Sequence, residues 1–206
     1  MMKVELHCHS NCSDGSATVE EILKYAEKTG LGAVAITDHN NMNSIKRAKK
    51  YRGDILFIPG IEVSSDKGHI LVLGSEEMPP KTLEGIADFA KSRDAVTIAA
   101  HPFGGVLRPG AAKYLGMVHA VEVLNGKTFS WHNKKAMEAA KHFSKVSGSD
   151  AHLLEEVGLF ACSVGADSVD GILREIRKGH AMLPEKSRSA LSIIWSAWKI
   201  KVHCII

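Results

Sequence analysis

Lys3-Val4-Glu5-Leu6-His7-Cys8-His9 begins as a strand and runs into two histidines. His7 and His9 stand two positions apart, so on a strand both imidazoles leave the same face and reach one ion. Cys8 then points to the opposite side. Working outward, chemistry-bearing residues recur where apolar runs end. Thr37-Asp38-His39 follows Ala33 to Thr37, and Glu62 lies in Gly60-Ile61-Glu62-Val63 at the end of the run from Ile55. His101-Pro102-Phe103 follows Val96 to Ala100, and Ser149-Asp150-Ala151-His152 follows Lys145 to Gly148. Asp14 sits in the polar loop beyond His9. Imidazole nitrogens and carboxylate oxygens at successive strand ends point to a cluster of metal ions.

Helices separate these strands. Thr18-Val19-Glu20-Glu21 is a capping-box pattern, and Val19, Ile22, Leu23 and Ala26 keep helical spacing up to Gly30. Further helices are expected over Asn43 to Tyr51, Leu83 to Lys91, Asn133 to His142, and from Val169 through Ile176 to Gly179. His69 to Leu73, Ala120 to Leu124 and Phe160 to Val164 complete the strands. Repeated βα units imply an α/β protein with a parallel sheet, either barrel or doubly wound. A barrel brings every strand's C-terminal end to one mouth, whereas an open sheet joins only those near its switch point. Ligands at five strand ends therefore favour the barrel.

The 206 residues fit one domain, spanning 1–206, with 45% apolar and 24% charged residues as in ordinary globular chains. A net charge of +3 is too small to argue for a stable nucleic-acid partner, yet suits a small phosphorylated substrate. With no signal-peptide pattern and no span of membrane length, a cytoplasmic location is expected. Cys8, Cys12, Cys162 and Cys204 form no CxxC pair and are expected to be reduced. The stretch 186–206 is apolar, with Leu191, Ile193, Ile194, Trp195, Trp198 and Ile200. It reads as a last helix or strand packed on the barrel, as a contact between copies in a homo-oligomer, or as a membrane-surface element.

Glu62 follows apolar residues, where a carboxylate is costly unless it meets a cation, and it is the bridging candidate. Asp38 reads either as an orienting partner for a ligand or as a cap for the next helix. His69 begins a strand and fits a ligand, a phosphate contact or a structural role equally well. His119, His132, His142, His180 and His203 lack such company and read as surface or core residues. Arg108, in a glycine-bounded loop, and Lys127, after Asn125-Gly126, suit phosphate binding, or else are solvated charges. No nucleophile elbow or phosphate-cradling glycine loop offers a rival mechanism.

In order, these motifs resemble the PHP (polymerase and histidinol phosphatase) superfamily, from about Val4 to about Gly165, leaving the tail uncovered. The resemblance implies a distorted seven-stranded (β/α)7 TIM-like barrel with a trinuclear metal centre at its mouth. Transferred position by position, His7, His9, Glu62 and Asp150 would hold one ion, Glu62 and His101 a second, and Asp14, His39 and His152 a third. Two or three divalent ions are implied, with zinc, manganese and iron all compatible. Two departures stand out. Asn125 occupies a strand where some members offer a further ligand, and a long lid-like insertion is missing.

The leading expectation is a metal-dependent phosphoesterase acting on a nucleotide or another small metabolite through a metal-bridging hydroxide, with Glu62, Asp150 and His39 read as catalytic. Arg108, Lys127 and His69 are the substrate-binding candidates. The alternatives are a 3′-end exonuclease or proofreading module, and a non-catalytic module stabilised by metal.

Overall fold

The computed structural model describes residues 1–104, 110–185 and 188–203. Among these residues eight strands occur: β1 (Met2–Cys8), β2 (Ala33–Ile36), β3 (Leu56–Ser65), β4 (Gly68–Leu73), β5 (Val96–Ala99), β6 (Ala120–Asn125), β7 (Ser144–Gly148) and β8 (Cys162–Val164). The helices are α1 (Val19–Lys28), α2 (Asn43–Ala48), α3 (Leu83–Arg93), α4 (Ser130–Ala139), α5 (Val169–Arg177) and α6 (Ala190–His203).

The sheet order is β7-β6-β5-β4-β3-β2-β1-β8. Strands β1, β2 and β3 run parallel, as do β5, β6 and β7, and β4 lies antiparallel between the two sets. The turn after β7 closes the ring, because the His9 amide donates to the Ala151 carbonyl at 2.8 Å and Cys8 bridges Ala151 in parallel. The first seven strands thus form a nearly closed barrel. The eighth strand, β8, pairs antiparallel with Met2–Val4 at the opposite end of β1. The result is a TIM-like α/β barrel with one strand more than the expected seven, and with β4 reversed.

Period-two alternation fills the barrel. Ala33 and Ala35 face inward with Ile58, Leu71, Ile98 and Val146, while Val34 and Ile36 face outward beneath Ile22 and Leu23 of α1. Ile172, Leu173 and Ile176 of α5 join the inner cluster and close the end away from the histidines. Helix α1 starts where expected: the Thr18 hydroxyl accepts from the Glu21 amide at 3.2 Å, and the Glu21 carboxylate accepts from the Thr18 amide at 2.8 Å. A second buried cluster, with Ile61, Ile70, Leu83 and Ile86, packs α3 on the other side of the barrel.

Candidate metal centre

Each strand end delivers its side chain for a local reason. In β1, Val4 and Leu6 join the barrel interior whereas Cys8 packs with Ala17 and Ile22 outside it. A register shift between Glu5 and Cys8 breaks the alternation and turns His7 and His9 into the mouth. As expected, Cys8 points away from them, its thiol directed at the Ala35 carbonyl. Glu62 does not end its strand. Strand β2 stops at Ile36, paired with Pro59, and β3 continues past it as a hairpin with β4, which raises Glu62 above the barrel rim. Because β4 is reversed, its first residues, not its last, reach the mouth, and this places His69 opposite Ser64.

Glu62 is fully buried and lies at the centre. Its Oε1 is 2.8 Å from His69 Nδ1 and 3.0 Å from His101 Nε2. Its Oε2 lies 3.2 Å from His7 Nε2, 3.3 Å from His9 Nε2 and 3.2 Å from His39 Nδ1. Asp150 Oδ1 adds contacts of 3.7 Å to His7 and 3.4 Å to His9. On the open side, Asp14 Oδ2 lies 3.3 Å from His152 Nε2 and 3.7 Å from His39 Nε2, and Asp14 Oδ1 is 3.7 Å from His9 Nδ1. Four overlapping sets therefore have ligand spacing: His9-Asp14-His39-His152, His7-His101-Asp150, His7-His9-Glu62 and His39-Glu62-His69. All eight predicted ligand positions fall in this cluster, and His69 joins them.

Whether these residues suit divalent ions is tested by their unpaired atoms and charges. Both ring nitrogens of His9 and Nδ1 of His101 are buried without a hydrogen-bond partner, a costly arrangement that a cation relieves. Burial alone would raise the Glu62 carboxyl, but His7 and the hydrogen bonds from His101 and His69 hold it well below the usual range. Asp14 is likewise lowered, because His152, His9 and His39 outweigh its burial. Burial pushes His9 down to about 3, keeping it neutral. Burial opposes charge on His7 too, yet Glu122, Asp150 and Glu62 together raise it well above its ordinary value. Ionised carboxylates around a pocket that draws in positive charge are the forms in which such groups bind metal. The residues fit the ions.

A supporting layer was only partly legible in the sequence. The buried Glu122 Oε1 accepts from His7 Nδ1 at 2.9 Å, leaving Nε2 of that ring for an ion. Its Oε2 accepts the His101 amide at 2.8 Å and the Asn125 amide group at 2.9 Å. Asn125 also donates to Asp150 at 3.1 Å, so it positions a ligand instead of serving as one. Glu5 accepts from the amides of His7, Ser149 and Gly158 at 3.0, 3.0 and 2.9 Å, tying β1 to the turn that carries Asp150. Asp38 caps no helix. Its carboxylate accepts from Ser10 N, Ser10 Oγ and Ser13 Oγ at 2.7–2.8 Å and thereby shapes the loop that presents Asp14. The signal available for Glu5 and Glu122 was a carboxylate flanked on both sides by apolar strand residues, the same that marked Glu62.

Backbone strain concentrates here as well. His101 and Asp150 have φ of 30° and 51°, and Asn40 beside His39 has 47°. Non-glycine residues in the left-handed region cost energy, and the surrounding hydrogen bonds hold them there. Of the substrate-binding candidates, Lys127 is not a free cation: its ammonium is buried and bonded to Glu156 and Ser196. Arg108 lies outside the described residues. His132, read from the sequence as a bystander, lines a cavity that also borders Asp14 and His152.

The sequence matches the PHP domain family over residues 5–177. An uncharacterized protein of Methanocaldococcus jannaschii is 33% identical over 171 residues, covering 76% of this chain and 68% of the relative. A 3′,5′-nucleoside bisphosphate phosphatase of Chromobacterium violaceum is 31% identical over 99 residues, 45% of this chain and 35% of that protein. Among solved structures, a two-domain protein from Bacteroides vulgatus, described as containing a predicted PHP-like metal-dependent phosphoesterase, superposes with a TM-score of 0.67 at 20% identity, covering 96% of this chain and 69% of that one. The family match spans most of the sequence, and the chain belongs to the PHP domain family.

Proposed function

We propose that this chain, a metal-dependent phosphoesterase, hydrolyses a phosphate ester of a nucleotide or other small metabolite. The carrying observation is Glu62, a buried carboxylate with imidazoles on both oxygens: His7, His9 and His39 on one, His69 and His101 on the other. A carboxylate so surrounded would hold divalent ions together with those imidazoles. Divalent ions bound there would acidify a water and offset charge on a transferring phosphoryl group.

The chain's own groups divide the remaining work. His7 and His101 are sealed at the bottom of the pocket, whereas His39 and Asp14 are 28% and 46% exposed and form the side open to substrate. Glu122 fixes the His7 tautomer, and Asn125 holds Asp150 against His7 and His9. His152 donates from Nδ1 to the Asp150 carbonyl at 2.9 Å, which directs its Nε2 toward Asp14. His69, at the rim of β4, is available to a phosphoryl oxygen or to an ion. The named phosphatase relative supports a nucleotide-sized substrate.

The test is hydrolysis of an aryl phosphate and of mononucleotides by protein loaded with manganese, iron or zinc. Asp150→Ala and His39→Ala are each expected to lower kcat by about 100-fold or more, since removing a single charge-stabilising group typically costs ~10²–10³. Full activity in either variant would contradict the reading.

A further inference from the structure

Helix α6 lies beyond the residues that match the family and builds a wall beside the metal centre. The cavity there has a volume of about 450 Å³, within the ~300–1,000 Å³ typical of small-molecule sites. At one end it is bordered by Asp14 and His152 of the metal cluster. Apolar side chains form most of the remaining wall, Phe129 at the start of α4 and Ile193, Ile194, Ala197 and Ile200 from α6, with His132 beside them. Phe129 is held by stacking on Trp131, with ring centroids 4.5 Å apart and planes inclined by 10°.

Among the described residues, two cations near this cavity share one carboxylate, Glu156. Lys127 lines the cavity, but its ammonium is bonded to Glu156 and Ser196. Glu156 also binds Arg188 at 2.9 Å and the Ser196 hydroxyl at 2.5 Å, and it accepts the His152 amide at 3.3 Å. This cluster pins α6 to the segment carrying His152. The apolar wall of α6 and Phe129 suits an uncharged ring attached to the ester at the metal cluster.

We infer that α6 and Phe129 form the subsite for a planar aromatic moiety of the substrate, such as a nucleobase, next to the phosphoester at Asp14 and His152. This rests on the phosphoesterase reading and adds a preference to it. Ile194 is 57% exposed although it is apolar, which fits a residue at the open edge of a cavity filled by ligand.

The experiment compares AMP with ribose 5-phosphate, two monoesters that differ by the base. The intact protein should prefer AMP by about tenfold or more in kcat/KM, the scale on which apolar pockets discriminate. Phe129→Ala and Ile194→Asn should each shrink that ratio severalfold through KM. Leu191→Asn, on an outward position 80% exposed, should leave the ratio as it was. Equal rates on the two esters, or an unchanged ratio in both cavity variants, would overturn the subsite while leaving the phosphoesterase reading intact. If neither ester is hydrolysed, the subsite is judged by binding of an adenosine 5′-phosphonate to metal-loaded protein. Binding weakened by Ile194→Asn supports it, and absent or unaffected binding rejects it.

Discussion

Glu122 shows how much of a metal site lies in residues that hold no metal. It fixes one ring nitrogen of His7 and the amide that starts the strained His101 turn. Glu122→Gln keeps the volume but removes the charge that holds the His7 proton. Metal affinity should fall by about 10–100-fold, the usual cost of losing such a partner. Metal content after dialysis, compared with circular dichroism, separates this from unfolding. At the same scale, burial pushes the Cys8 thiol well up and the Cys162 thiol up to about 12. Each pH unit below a pKa cuts the thiolate tenfold, so at pH 8 Cys162 is roughly one part in ten thousand thiolate. Neither thiol should react with a disulfide reagent at that pH until denaturant is added, and rapid labelling of either in folded protein would show that the burial is wrong.

At the scale of elements, β7 approaches β1 closely where the barrel closes. Gly148 permits this: a Cβ there would stand 2.6 Å from the His7 Cβ and 2.4 Å from Glu122 Oε1. Gly148→Ala should therefore drive His7 and Glu122 apart and weaken metal binding, at a stability cost of about 1–3 kcal/mol for overpacking. Denaturant titration read beside metal titration checks both effects. The reversal of β4 belongs to this scale too. His69 at a strand's beginning could not be assigned from the sequence, because a strand's N-terminal end faces the mouth only when the strand runs backwards. That direction is set by the hairpin pairing of Glu62 with Leu71 and Ser64 with His69.

For the whole molecule, the cluster sets the dependence of folding on metal. Folding packs histidines and carboxylates from nearly every barrel strand into one buried region, and the unfolded chain holds no such site. An ion at 100 times its dissociation constant adds about 2.7 kcal/mol to stability. For a chain of this length, that corresponds to a rise in Tm of about 5–10 °C. Chelation should remove this increment, and manganese or zinc should restore it. A Tm indifferent to chelator would mean that the cluster holds no ion. Among the described residues no helix is long and apolar enough to cross a membrane.

The sequence alone carried the barrel and named the eight residues that the fold brings into one cluster, because both are local signals. Apolar runs of strand length specify strands, and a histidine or acid just past such a run lies at a strand end whatever its partners are. What it left open was what depends on contacts between distant residues. Lys127 reads as a free cation until Glu156 and Ser196 are seen to surround it, 29 and 69 positions away in the chain. Asp38 reads as a helix cap or as an orienting partner until the Ser10 loop folds onto it. Asn125 reads as a lost ligand until its amide is found between Glu122 and Asp150. A side chain's role in a buried network is set by what desolvates it and what remains to satisfy it, and only the folded chain brings those groups within a few ångströms of one another.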